Sequence, residues 1–128
     1  MNKERILIVE DEAVVAENME KVITDFGYEV VGRASSADDA VNAAIELKPD
    51  LILMDIVLLG KKTGIDASYE IKEKIDIPII FLTAYSNLDL IDRAKSVEPY
   101  AYIIKPFHDR QLFASIEMAL YKIRMGGS

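Results

Sequence analysis

Five short apolar runs punctuate the chain, at residues 6–9, 29–34, 51–54, 77–82 and 101–104. Most are continuously apolar rather than alternating, the pattern of parallel strands covered on both faces. The segments between them carry a helical period. Val15, Ala16, Met19, Val22, Ile23 and Phe26 form one apolar stripe, and Gly27 follows where a helix end favours positive φ. Ala37, Ala40, Val41, Ala44 and Leu47 form a second stripe. Ser36, with Asp39 three residues on, predicts an acidic variant of the capping box before it, and Lys48-Pro49 ends it. A third, weaker helix is predicted from about residue 65 to residue 74, and a fourth from near Asn87, carrying Ile91, Ala94 and Val97. The last follows Pro106, with Asp109 as its expected N-cap, and presents Leu112, Phe113, Ile116, Ala119, Leu120 and Ile123.

This is a strand–helix unit repeated five times, which predicts an α/β fold with a parallel sheet. Right-handed crossovers then give a three-layer α/β/α sandwich or part of a barrel. A closed eight-stranded barrel needs roughly twice the 128 residues present, so the sandwich is expected. Residues 1–124 read as one domain, and 125–128 (Met-Gly-Gly-Ser) as a linker stub or tail.

Composition narrows the chemistry. The absence of cysteine excludes disulfides, thiolate metal sites and a cysteine nucleophile. No apolar run approaches the ~20 residues of a membrane span, and a cytoplasmic protein is expected. A net charge of −7 with scattered basic residues argues against direct binding to nucleic acid or anionic lipid.

The suspicious polar residues gather at the C-terminal ends of the strands, where open α/β sheets bind ligands. Glu10, Asp11 and Glu12 end the first strand, Asp55 the third, Thr83 the fourth and Lys105 the fifth. Clustered carboxylates repel unless a proton or cation separates them. Oxygen donors without His or Cys favour a hard cation, usually Mg²⁺. A lysine and a hydroxyl beside them suit phosphoryl oxygens. An aspartate there can itself attack phosphorus, and Asp55 alone sits on a central strand with the other acids flanking it. Each residue also has a plainer reading. The acidic triplet can simply cap the first helix, Thr83 can be a turn residue, His108 an exposed one, and Tyr100 and Tyr102 packing groups. The joint pattern is what favours a site.

These residues carry a family resemblance. The chain resembles the receiver domains of two-component response regulators from Arg5 to about Arg124. The matching pieces are residues 6–12 (ILIVEDE), 49–55 (PDLILMD), 78–84 (PIIFLTA) and 102–107 (YIIKPF). The resemblance implies the flavodoxin-like strand order 2-1-3-4-5 with five helices. It implies that Asp55 is a phosphoacceptor charged from a phosphohistidine on a sensor histidine kinase or phosphotransfer protein. Asp11 and Asp55 would hold Mg²⁺ with the main-chain carbonyl of Val57, and Glu10 would reach it through water. Lys105 would pair with the phosphoryl group or, without it, with Asp55. Thr83 would swing toward the phosphoryl oxygens while Tyr102 turns inward. Glu12 matches no metal position and is expected to cap the helix. The fourth helix, fifth strand and fifth helix would form the output surface.

The chain departs from the family pattern in three places. Leu59 stands where many receivers have proline, residues 58–64 form a loop about one residue longer than usual, and residues 98–101 (EPYA) replace a Gly-Ala-Asp-like run. Val57 and Tyr85, two residues beyond Asp55 and Thr83, are poor at orienting water, so slow loss of the phosphoryl group is expected. Three alternatives remain open. A flavodoxin-like electron carrier wants a Gly- or hydroxyl-rich anion loop where the acidic triplet stands. A haloacid-dehalogenase-like phosphatase wants an acid at the position of Val57. The third is a receiver-like interaction module that works without phosphorylation.

Overall fold

The apolar runs become strands β1 (Arg5–Val9), β2 (Glu29–Ala34), β3 (Leu51–Asp55), β4 (Ile79–Ala84) and β5 (Ala101–Lys105). They are joined through helices α1 (Ala13–Asp25), α2 (Ala37–Leu47), α3 (Gly64–Lys74) and α4 (Ile91–Ala94), with α5 (Asp109–Arg124) last. The structure, a computed structural model, describes residues 3–126, apart from the side chains of Tyr85 and Leu88. All strand pairs are parallel, in the order β2-β1-β3-β4-β5. The flavodoxin-like sandwich implied by the resemblance is therefore the observed fold.

Continuous apolar strands make sense because both faces of the sheet are covered. Leu7, Val9, Ile52, Met54, Ile79 and Phe81 point into one core, closed by α2 and α3. Ile6, Ile8, Leu51, Leu53, Ile80 and Leu82 point into the other, closed by α1 and α5. Neighbouring residues of one strand thus serve opposite cores. The second core is fastened at its rim, where the Tyr28 hydroxyl donates to Glu117 of α5. Burial, with that carboxylate beside it, pushes the Tyr28 phenol well above its ordinary pKa.

Helix ends follow local chemistry, with several corrections to the expected boundaries. Gly27 takes φ +101° just past α1, and Lys48 takes φ 48° as the α2 C-cap. Ser36 caps α2 by accepting from the Asp39 N–H at 3.2 Å, but Asp39 does not bond back, so only half of the expected capping box forms. The complete box belongs to α3, between Thr63 and Asp66. Glu12 takes the N-cap position of α1 and makes no side-chain capping bond. The N-cap of α5 is His108, not Asp109, and it too makes no side-chain bond.

β4 starts two residues later than predicted, because Pro78 has no N–H to give the ladder; its carbonyl still accepts from the Ile52 N–H. The predicted fourth helix is largely replaced. Only Ile91–Ala94 is α-helical, between 3₁₀ segments Tyr85–Leu90 and Lys95–Val97, with non-helical dihedrals at Asn87.

Candidate functional site

Strand order reverses at β1, which has β2 on one side and β3 on the other. Register aligns Val9 with Met54, so the next residues, Glu10 and Asp55, emerge side by side at the carboxyl edge. On the other flank Asp55 pairs with Leu82 and Ala84 with Lys105. The predicted strand-end residues therefore converge by register alone.

Lys105 is the hub. Its Nζ lies 2.7 Å from Asp55 Oδ2 and 2.8 Å from Glu10 Oε1. The second oxygen of each acid takes a backbone amide: the Val57 N–H donates to Asp55 Oδ1 and the Glu12 N–H to Glu10 Oε2, each at 3.1 Å. Side-chain exposure is 0% for Glu10, 9% for Asp55 and 25% for Lys105, so this is a nearly dry ion triad rather than a surface pair. Burial opposes the charge on Lys105, but its hydrogen bonds to Asp55 and Glu10 and their charges outweigh that, and its pKa is raised.

Asp11, half-exposed, joins the two buried acids. One oxygen from each of Glu10, Asp11 and Asp55 can be chosen so that all three lie within 4.8 Å of one another. Partial burial first, and then Glu10 beside it, raise the Asp11 pKa. In chemical terms the corner offers several anionic oxygens around a space with one cation already at its wall.

Thr83 is buried, and its hydroxyl donates only a long 3.4 Å bond to the Ala84 carbonyl. Tyr102 is half-buried, with its ring stacked on Phe81 at 6.2 Å. Val57 is 46% exposed and contributes its N–H to Asp55. The unusual loop after Asp55 is anchored, not loose. Leu59 bridges to Ser36, and Lys62 Nζ spans Asp38 at 3.1 Å and Glu70 at 3.3 Å. His108 stands exposed outside the cluster, and Tyr100 lies under the Lys122 ammonium. The side chain of Tyr85 lies outside the described residues.

Two features were not foreseen. One is the bond between Lys105 and Glu10, a residue expected near the metal. The other is Gly64, whose N–H donates to the Ile56 carbonyl at 2.7 Å. A Cβ added there would run into the Asp55 backbone carbonyl and lie 3.0 Å from Met54 Cγ. The Thr63-x-x-Asp66 cap was the available signal that α3 starts beside the acid-bearing strand.

The same arrangement of elements recurs in known proteins. A model for the response regulator receiver domain matches residues 6–117. The transcriptional regulatory protein PdtaR of Mycobacterium tuberculosis is 42% identical over 120 residues, covering 94% of this chain and 58% of that protein. The phyllosphere-induced regulator PhyR of Methylorubrum extorquens is 38% identical over 117 residues, covering 91% and 43%. The chain thus spans about half the length of these relatives. The receiver domain of a modulated diguanylate cyclase from Desulfovibrio desulfuricans superposes with a TM-score of 0.89 at 34% identity, covering 98% of this chain and 99% of that one. A carboxylate-and-lysine corner at the sheet switch point, on a chain matched along most of its length, leaves one assignment: the chain belongs to the response regulator receiver domains, which are phosphorylation-based signalling modules rather than dedicated enzymes.

Proposed function

We propose that Asp55 is the phosphoacceptor of this domain. A carboxylate oxygen of Asp55 attacks phosphorus on a phosphohistidine of a partner histidine kinase or phosphotransfer protein; the P–N bond breaks and its electron pair leaves with the imidazole. The observation that carries this reading is the placement of Lys105 Nζ 2.7 Å from Asp55, inside a cluster of three carboxylates. Lys105 holds Asp55 in one orientation and supplies positive charge beside the incoming phosphoryl oxygens.

The donor set fits Mg²⁺. Its atoms are all carboxylate oxygens, the hard donors this ion prefers, and one from each acid lies within 4.8 Å of the others. Asp11 and Asp55, with the Val57 carbonyl, would hold the ion directly. Glu10, farthest from solvent of the three acids, would reach the ion through water. When bound, the ion offsets repulsion between the phosphoryl group and the acids.

The switch then follows from charge and hydrogen bonding. Thr83 holds only a weak bond to Ala84, so its hydroxyl is free to turn to a phosphoryl oxygen, and Tyr102 fills the space it leaves. One such bond contributes about 1–3 kcal/mol, too little for complete switching; Lys105 and Mg²⁺ add the remainder. α4, β5 and α5 carry the change to an output domain or partner. Residues 1–124 act as this one domain.

Acetyl phosphate with Mg²⁺ is expected to give a single phosphoryl adduct by intact mass on the wild type and none on Asp55→Asn. An adduct of equal yield on the variant refutes the assignment. No adduct on either protein favours an interaction module working without phosphorylation. Val57 cannot orient an attacking water, so after removal of the phosphodonor the adduct is expected to persist well beyond seconds. Decay with a half-life of seconds contradicts that.

A further inference from the structure

The loop after Asp55 has an inner half held by the core and an outer half that stands outside it. Ile56 and Leu58 are buried, and the Ile56 N–H donates to the Leu82 carbonyl. Leu59, Gly60, Lys61 and Lys62 are all exposed, so burial fixes none of them. Gly60, at φ +94° in their midst, adds backbone freedom.

What holds the outer half is the start of α2. Leu59 pairs with Ser36 as a single parallel bridge just before that helix. Ser36 is itself fixed, because its hydroxyl caps α2 and buried Ala34 and Ala37 flank it. Lys62 then returns to the same helix end. Its ammonium lies 3.1 Å from Asp38, two residues past Ser36, and 3.3 Å from Glu70 of α3. The bond to Asp38, and then the one to Glu70, raise the Lys62 pKa, so the ammonium stays charged. The tip Gly60-Lys61 is thus stapled to α2 on both sides. Leu59 stands where many receivers have proline, so a backbone that proline would stiffen locally is stiffened here by tertiary contacts.

We infer that Lys62 is a positioning residue for the cation site: it clamps the loop to α2 and so keeps Val57 in place beside Asp55. The Val57 N–H donates to Asp55 Oδ1. The next peptide, between Val57 and Leu58, carries the carbonyl proposed above as an Mg²⁺ ligand. It lies one residue from Leu59, so slack in the outer half reaches it first. Mg²⁺ demands near-ideal geometry, and a ligand that must be ordered on binding costs affinity. The inference rests on the cation reading of the corner and adds the group that keeps the loop ready for it. Charge alone predicts the reverse. Removing a cation from this part of the surface strengthens the attraction for Mg²⁺, whereas loss of positioning weakens binding.

Lys62→Met keeps the alkyl chain and removes the ammonium. Calorimetric titration is expected to show Mg²⁺ binding about threefold weaker than in the wild type, the scale of an exposed ion pair. Without Mg²⁺, hydrogen exchange of the Val57 amide, read by NMR, should be faster in the variant, while urea unfolding stays close to the wild type. Lys62→Arg keeps a cation that reaches both acids and should restore both readings. Tighter or unchanged Mg²⁺ binding by Lys62→Met overturns the inference, as does unchanged exchange at Val57. So does a Lys62→Arg variant that behaves like Lys62→Met. A wild type that binds no Mg²⁺ refutes the cation reading and the role of Lys62 in it together; faster Val57 exchange in Lys62→Met would then show that the clamp exists but serves no cation.

Discussion

Replacing Gly64 by alanine is expected to lower stability by about 3 kcal/mol, near the upper end for overpacking a rigid site. The added methyl group meets the Asp55 backbone carbonyl and the Met54 side chain. Carbonyl and strand cannot yield, because β3 is the central strand and hydrogen-bonds to β1 and β4. The start of α3 must therefore move away, stretching the 2.7 Å bond from the Gly64 N–H to Ile56. The loop residues 56–63 lie between these two anchors, and among them Val57 holds an Asp55 oxygen. The substitution should thus impair acceptor phosphorylation as well as folding.

Gly60→Ala makes the informative control. Gly60 sits in the same loop at φ +94° with nothing within 4 Å of an added Cβ. Its replacement carries only the backbone cost of the left-handed region, about 1 kcal/mol. Urea denaturation of the two variants separates the effects. Equal losses would show that the contact between α3 and Asp55 is not tight.

What the sequence made legible was whatever depended on strands. Residues 51–54 are apolar without interruption, so they needed cover on both faces, and parallel strands have their ends fixed by register. Once the order reverses at β1, the acidic triplet, Asp55 and Lys105 meet with no further information. Positions decided by helix or loop geometry were harder to read. Glu10, Asp11 and Glu12 are three adjacent acids, and nothing in their order says which one turns inward. The turn after β1 buries Glu10 against Lys105, leaves Asp11 partly exposed and sends Glu12 to solvent.

The fourth helix failed for a physical reason that is visible afterwards. Its apolar stripe rested on only three positions, Ile91, Ala94 and Val97, and their spacing of three suits a 3₁₀ helix as well as one face of an α-helix. Ala94 and Val97 are the residues it buries, too few to favour one helix type over the other. Gly64 was overlooked because a glycine demanded by close approach looks, in sequence, like any loop glycine. Its signal was indirect, in the cap made by Thr63 and Asp66.

Lys105→Met is expected to cost about 2–3 kcal/mol in the absence of divalent cations. Methionine keeps most of the side-chain volume but leaves Glu10 and Asp55 as neighbouring buried anions with no counter-charge. Breaking a fully buried pair by removing one partner costs about 3–5 kcal/mol. The value here is lower because Lys105 is 25% exposed and water reaches the vacated corner. Two compensations identify the mechanism. Adding Glu10→Gln removes one stranded charge and should recover a large part of the loss, a non-additivity that a double-mutant cycle reads directly. Millimolar Mg²⁺ should narrow the gap between Lys105→Met and the wild type, because a cation bound only in the folded state restores counter-charge to the same carboxylates. A variant that loses stability equally with and without Mg²⁺, and is not helped by Glu10→Gln, would mean that Lys105 acts through packing of its alkyl chain. The electrostatic account of the corner, and with it the fit of a cation there, would then fail together.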